Sequence, residues 1–377
     1  MINDLRIHLT VIMYMIGCFS IMIYNAFVIY RKKSRSKAMK KNTAGWIRAV
    51  DQQLAANNAD ICPKHKKRLT KSLTHVEELI AFSHALNFIY LEYGKDLYKK
   101  YVRILVEGKI FQLLALVYKR KKNEERAYFA YFVSRHPAVA KNAEGICKNT
   151  TDTMVSFTTN SDIYCRVNVL KALCKLGDMQ GIVSALQFFS DKPTFIHHKL
   201  LAEDLYSFAG DKEVLALKLW ENHELWNNNI VLGIITFITM FSGGFKTAFL
   251  PVLQNQSAGA DTRLAIIRYY KKYSFEPARP ILIEYLDQTE NYELAIEAAS
   301  CLSVYPGFAA KHALKTALES ESWYVRYNAV SSLVELGAYQ DSLSNNAQSS
   351  DSDLSQMIDY KLDHANEKYV NASEVII

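Results

Sequence analysis

Glycine and proline are scarce in this chain, 14 and 7 among 377 residues. That excludes an architecture of many short strands and tight turns, and leaves an all-α chain as the fold that 50% hydrophobic residues would fill. Cysteine is thin as well: Cys18, Cys62, Cys147, Cys165, Cys174 and Cys301 form no CxxC pair, which excludes a disulfide framework and suits a reducing compartment. Cys62-Pro-Lys-His65 has a metal-like spacing but no second pair to complete four ligands. A phosphate loop, a Gly-x-Ser-x-Gly elbow and a His-Glu-x-x-His helix are all missing, so no cofactor or catalytic metal is implied.

Charge of one sign is missing from the body of the chain. The net charge is +7, and residues 1–41, with 8 basic and 1 acidic side chains, carry all of it, leaving 37 against 37 beyond. A neutral body argues against nucleic acid as a partner, because phosphate neutralisation supplies most nonspecific affinity. The body is nonetheless polarised: residues 42–141 hold 18 basic and 9 acidic side chains, residues 142–377 hold 19 and 28. The basic part, with clusters at Lys64–Arg68 and Lys119–Lys122, would be drawn to anionic headgroups; the plain alternative is a set of ordinary solvated faces.

What is present begins at the N-terminus. After a short tail, residues 1–6, Ile7–Tyr30 is a 24-residue apolar run, long enough to cross a hydrocarbon core of roughly 30 Å as a helix. A cleaved signal peptide would have a short apolar core behind a basic leader, then a small-residue cleavage site. Here the leader holds one Asp and one Arg, and the run ends in RKKSRSKAMKK, so a permanent single-pass anchor is expected. Residues 31–42 form a basic juxtamembrane linker in which Arg31, Lys32, Lys33, Arg35, Lys37, Lys40 and Lys41 face the membrane surface. By the positive-inside rule the N-terminus lies outside and everything after residue 31 is cytoplasmic, as at a bacterial inner membrane.

Residues 43–116 read as a helical cap, with a helix starting at Thr43 and a second, begun by Pro63, reaching about Tyr93. Beyond them one pattern recurs. Trp323–Gly337 (WYVRYNAVSSLVELG) echoes Ile163–Gly177 (IYCRVNVLKALCKLG), and the same apolar spacing returns at His198, Ile230, Arg263 and Ala295. The steps from Arg166 to Arg326 are 32, 32, 33, 32 and 31 residues, a period that signals a repeat array. A first apolar helix precedes each phase residue, and a turn rich in Asp, Asn, Ser or Pro separates the two. Ile230–Phe241 is apolar throughout but too short to span a membrane, and falls on phase as a buried second helix. Residues 339–377 turn polar, with Leu354, Ile358 and Leu362 marking a terminal capping helix.

Val325-Arg326 with Ala329 and Leu333, following Glu319–Trp323, resembles the HEAT repeat, and the resemblance covers Arg126 to Gly337. It implies an armadillo-like, right-handed α-solenoid of about six to eight hairpins over residues 117–338, preceded by the one transmembrane helix. It also implies repeat-structural roles for Arg126, Arg166, Arg263, Arg326, Asn168 and Asn328, the arginines bonding acids of adjacent repeats. Second helices line the concave side in this family, which makes Asn168, Lys171, Lys175, Arg268, Lys272, Glu297, Tyr327 and Ser331 the expected partner contacts. Family members that are iron-dependent hydroxylases use several His-Glu dipeptides; this chain has one, His223-Glu224.

Two functional expectations follow. The first is a membrane-anchored cytoplasmic scaffold, not an enzyme, that binds a protein partner; proteins of this layout look like accessory subunits of membrane enzymes such as polysaccharide glycosyltransferases. The second is an enzyme acting on a membrane-derived or small hydrophobic substrate in the groove, with His197, His198, Glu203 and Asp204 as its converging groups. A scaffold should show an open face, an enzyme a pocket focused on those four.

Overall fold

The computed structural model describes residues 2–56, 60–159, 161–190, 196–287 and 292–338, with side chains from residue 12 onward. The capping helix expected over 339–377 lies outside them. The described residues form eighteen α-helices and one two-stranded ribbon of two residues per strand. They fall into two compact units, Met1–Phe189 and Ser190–Ile377.

The first unit opens with α1, Ile2–Ala55, a single uninterrupted helix. The linker expected over residues 31–42 and the helix start expected at Thr43 are therefore corrected. The stretch between Tyr30 and Trp46 has no proline, and Lys, Arg, Ala and Met, all good helix formers, carry the helix through it. The long second helix expected from Pro63 is also two: α2, Pro63–Ser72, and α3, Val76–Phe88. Thr74 Oγ1 bonds the Lys71 carbonyl at 2.7 Å and diverts the backbone into a turn. Glu77 and Glu78 then favour a new start, since acids suit a helix N-terminus.

The rest of the unit comprises α4 (Lys95–Glu107), α5 (Ile110–Tyr118), α6 (Asn123–Arg135), α7 (Lys148–Phe157), α8 (Ile163–Leu176) and α9 (Met179–Ser190). α1, α3, α6 and α8 pack successively as one layer; α2, α5 and α7 form a second. Phe82, Phe111, Phe129, Phe132 and Trp46 fill the seam, all within 1% of complete burial.

In the second unit short and longer helices alternate. α10 (His198–Tyr206), α12 (Asn228–Phe241), α14 (Ala260–Lys272), α16 (Tyr292–Cys301) and α18 (Trp323–Glu335) pack each on the next. α11 (Lys212–Glu221), α13 (Lys246–Gln254), α15 (Arg279–Leu286) and α17 (Phe308–Thr316) each pack on the helix that follows. The phase residues Arg166, His198, Ile230, Arg263, Ala295 and Arg326 all lie in the first turn of their helices. Apolar α12 buries Ile230, Ile234, Ile235, Phe237 and Ile238 between its neighbours.

Side chains also reach back one period to backbone carbonyls at or near helix ends. Ser332 Oγ donates to Ala299 O at 2.7 Å, Tyr305 OH to Tyr270 O at 3.3 Å, and Tyr285 OH and Asn229 Nδ2 to Leu253 O and Ile196 O. The echo between α8 and α18 has a local cause too. Gly177 and Gly337 are left-handed, with φ of 77° and 63°, and the next residue donates to the carbonyl of Leu173 or Leu333, the bond that closes a helix C-terminus.

Helices α10 and α12 approach closely because Gly233 has no side chain: a Cβ there would stand 2.5 Å from Leu201 Cδ2 and 3.2 Å from Leu201 Cβ. Gly233→Ala is expected to cost about 1–3 kcal/mol of overpacking, against about 1 kcal/mol returned in helix propensity. A denaturant titration in detergent should show net destabilisation, and more for Gly233→Val; a stabilised alanine variant would contradict the close approach.

Candidate interaction surfaces

The first surface is built on α1. From Ile12 to Tyr30 its side chains are bare, the large apolar ones 41 to 75% exposed, and no neighbouring helix covers them. This is the one described helix long and apolar enough to cross a membrane. All seven basic side chains between Arg31 and Lys41 are exposed, and Arg35 pairs with Glu77 at 2.9 Å.

One turn later the same helix becomes core. Trp46 is fully buried, donates Nε1 to Glu78 at 2.8 Å, meets Phe82 edge-on at 5.2 Å and carries the Arg68 guanidinium 4.6 Å above its face. Asn42 Nδ2 donates to the other Glu78 oxygen at 2.7 Å, and Arg68 reaches Gly45 O. Beside this clasp His65 is bonded to buried Tyr101 at 2.8 Å, so the Cys62–His65 spacing serves packing.

The residues expected to meet a partner fall in both units. On α14 and α16, Arg268 and Glu297 form an ion pair at 3.0 Å, and Lys272 donates to the Thr239 carbonyl at 2.8 Å. Arg268 and Lys272 are exposed, Glu297 half-buried. Tyr327 and Ser331 lie on α18, half-buried, with Ser331 Oγ bonded to Tyr327 O. Asn168, Lys171 and Lys175 share α8 in the first unit, all half-buried. Asn168 and Asn328 do the same thing: each Nδ2 donates to the carbonyl one turn back, Tyr164 O and Tyr324 O, both at 2.9 Å.

The repeat arginines have other partners than expected. Arg326 donates to Ser320 O and Glu321 O, Arg263 lies over Tyr285, Arg166 is buried over Phe189, and Arg126 bonds Asn123. Among the described residues none of the four forms an ion pair with an acid. For Arg166 and Arg263 an aromatic ring lies where a carboxylate was anticipated.

Of the groove-enzyme candidates, His197 Nδ1 accepts from Lys199 N as the cap of α10, and its ring stacks on His198 at 4.5 Å. Burial, with His197 and Lys199 nearby, lowers the His198 pKa. Asp204 is buried on the same helix, while Glu203 is exposed. Sequence spacing missed a different cluster at the start of α18: Trp323 and Tyr324 stand 45% and 63% exposed, and Tyr327 stacks on Trp323 at 5.0 Å. The signal was present in two adjacent aromatics at a helix N-terminus, where core positions had not yet begun.

The first unit should soften in acid. Burial, then repulsion from Arg68, lowers His65 from 6.5 to about 4; burial and Arg135 do the same to His136, which is bonded to Ser83 at 2.8 Å. Folded values below unfolded ones mean that the neutral rings contribute fully above pH 6.5. That contribution is lost as pH falls toward 4, by up to ~3 kcal/mol each. Unfolding midpoints measured from neutral pH downward should decline through this window, and His136→Gln should flatten the slope; a pH-independent midpoint would contradict the burial of both rings. No protein-family model and no curated protein matches this chain, so function rests on its geometry and charge.

Proposed function

We propose that this protein is a membrane-anchored scaffold: α1 spans the membrane, and the helical hairpins over residues 117–338 form a HEAT-like solenoid that holds a protein partner on the cytoplasmic side. The observation that carries the proposal is the double character of α1. A side-chain surface left bare over nineteen residues needs an apolar environment, whereas the same helix past Asn42 is locked into a folded body. An apolar helix with seven cations at one end and no acid among them enters with that end cytoplasmic.

Helix-on-helix packing of α10, α12, α14, α16 and α18 at a period near 32 residues supports the solenoid. The surface on α14, α16 and α18 combines a charged pair with clustered aromatics, the composition of interface hot spots. A membrane enzyme, such as a polysaccharide glycosyltransferase, is the class of partner that an anchored scaffold would reach. It would act there by placement and not by catalysis.

Affinity purification of the full chain from gently solubilised native membranes tests this. One stoichiometric partner should be recovered, and Trp323→Ala should weaken it by about 2 kcal/mol, roughly thirtyfold in affinity. Charge reversal at Lys171, Arg268 and Lys272 should reduce recovery further. Unchanged copurification in these variants would refute the surface, and a chain extracted from membranes by carbonate would refute the anchor.

A further inference from the structure

The first unit has a groove of ≈ 1040 Å³ between α2 and α5 that neither the anchor nor the partner surface uses. Its apolar wall is Leu113, Leu116 and Val117, one stripe at helical spacing, 43, 53 and 39% exposed. Its rim is cationic: Lys66, Lys67, Arg120, Lys121 and Lys122, of which, among the described residues, only Lys121 forms an ion pair, with Glu125 at 2.8 Å. No aromatic side chain lines it, so it lacks the stacking platform a single-stranded nucleic acid would need.

Printed along the chain is the direction in which this rim faces. α5 begins beside Ile61, which a Cβ on Gly108 would touch at 3.1 Å, and the neighbouring Asp60 and Cys62 are bonded to Gln53 of α1. It ends at Tyr118, whose hydroxyl bonds Leu73 O at 2.8 Å in the α2–α3 turn. That turn leads directly to Glu77 and Glu78, held by Arg35 and by Asn42 and Trp46. α5 therefore runs back along α1 toward the apolar span, and Lys119–Lys122 emerge at the span-facing end of the unit. At 1.5 Å per residue, the level of Arg35–Asn42 is about 8–18 Å beyond Tyr30. Long cationic side chains and a helix tilt of about 20° reach across that gap to the headgroups.

From these positions we infer that the α2–α5 face is a second membrane contact, docking on the anionic surface of the bilayer that α1 spans. This rests on α1 being an anchor. Each cation near an anionic leaflet contributes about 1 kcal/mol, and the exposed Leu113, Leu116 and Val117 stripe lies beside the cations on the same face. Tethering by α1 supplies the bilayer at high effective concentration, so weak individual contacts suffice. The contact would fix the tilt and rotation of the whole first unit on the membrane.

The test uses the purified full chain in nanodiscs of phosphatidylcholine alone and of phosphatidylcholine with phosphatidylglycerol, with brief lysine acetylation read by mass spectrometry. Lys119 and Lys122 should react several-fold more slowly in anionic than in neutral discs, recover in high salt, and lose protection in Leu116→Glu. Lys218 and Lys311 of the second unit serve as references and should not change. Equal rates in both discs, with the chain incorporated, would overturn the docking and leave the anchor standing. Failure to enter discs of either composition would overturn the anchor, and the docking with it. Equal protection by glycerol phosphate in detergent would assign the face to a soluble phosphate, and protection that rises with protein concentration alone would assign it to a second copy; either overturns the proposal.

Discussion

Burial of Trp46 against Glu78, Phe82 and Arg68 is the contact on which the rest of the first unit depends, because it ties a helix that is bare from Ile12 to Tyr30 into a folded body. A free apolar helix has no defined orientation relative to the domain it tethers. Here the indole hydrogen bond, the guanidinium over its face and the Asn42–Glu78 bond fix the rotation of α1 about its own axis relative to α2 and α3. Since α1 has no break between the bare segment and the clasp, that rotation is transmitted rigidly. A flexible linker would have let the body tumble; in the proposed anchor an unbroken helix gives it a fixed membrane-facing side.

The second unit is held together by a different bond. Backbone carbonyls at or near helix ends, where the last turn leaves C=O groups without a partner along the helix, accept hydrogen bonds from hydroxyl and amide side chains one period away, as Ser332, Tyr305, Tyr285 and Asn229 show. Each is worth about 0.5–1.5 kcal/mol. Collectively they set the register between neighbouring helices without burying a charge, which a carboxylate–guanidinium ladder would have required at a desolvation cost of several kcal/mol per ion. That explains the abundance of tyrosine: the ring fills the seam and the hydroxyl finds a carbonyl.

Much of this was legible in the sequence, for physical reasons that also mark where legibility stopped. The helices that start at Ile163, Asn228, Ala260 and Trp323 follow from apolar spacing, which is local, to within two or three residues of the phase positions; Asp162 and Asn227 cap the first two at their true starts. The continuity of α1 was not legible. A run of lysines and serines reads as a linker by composition, yet it is helical because both of its ends are, and propagation from an existing helix costs far less than nucleation. The arginine partners were missed because which group faces a guanidinium across a helix seam depends on tertiary placement, and Phe189 and Tyr285 lie 23 and 22 residues away. Likewise the Leu113–Val117 stripe looks like core in sequence; only the packing of α5 on α2 with its other face leaves it bare.

The charge distribution fits the same division of labour. Arg35, Arg103 and Lys121 pair with acids, yet between residues 42 and 141 eighteen cations face nine acids and most remain exposed, which costs self-repulsion in an isolated body. An anionic surface relieves that repulsion at once. The second unit shows the opposite economy: Lys272, Arg268 and Lys271 are each engaged, by a carbonyl, an acid and the Ser300 hydroxyl, so their charges orient neighbours more than they attract distant ones. Long-range attraction is thus concentrated where a membrane would be, and short-range complementarity where a folded partner would have to fit.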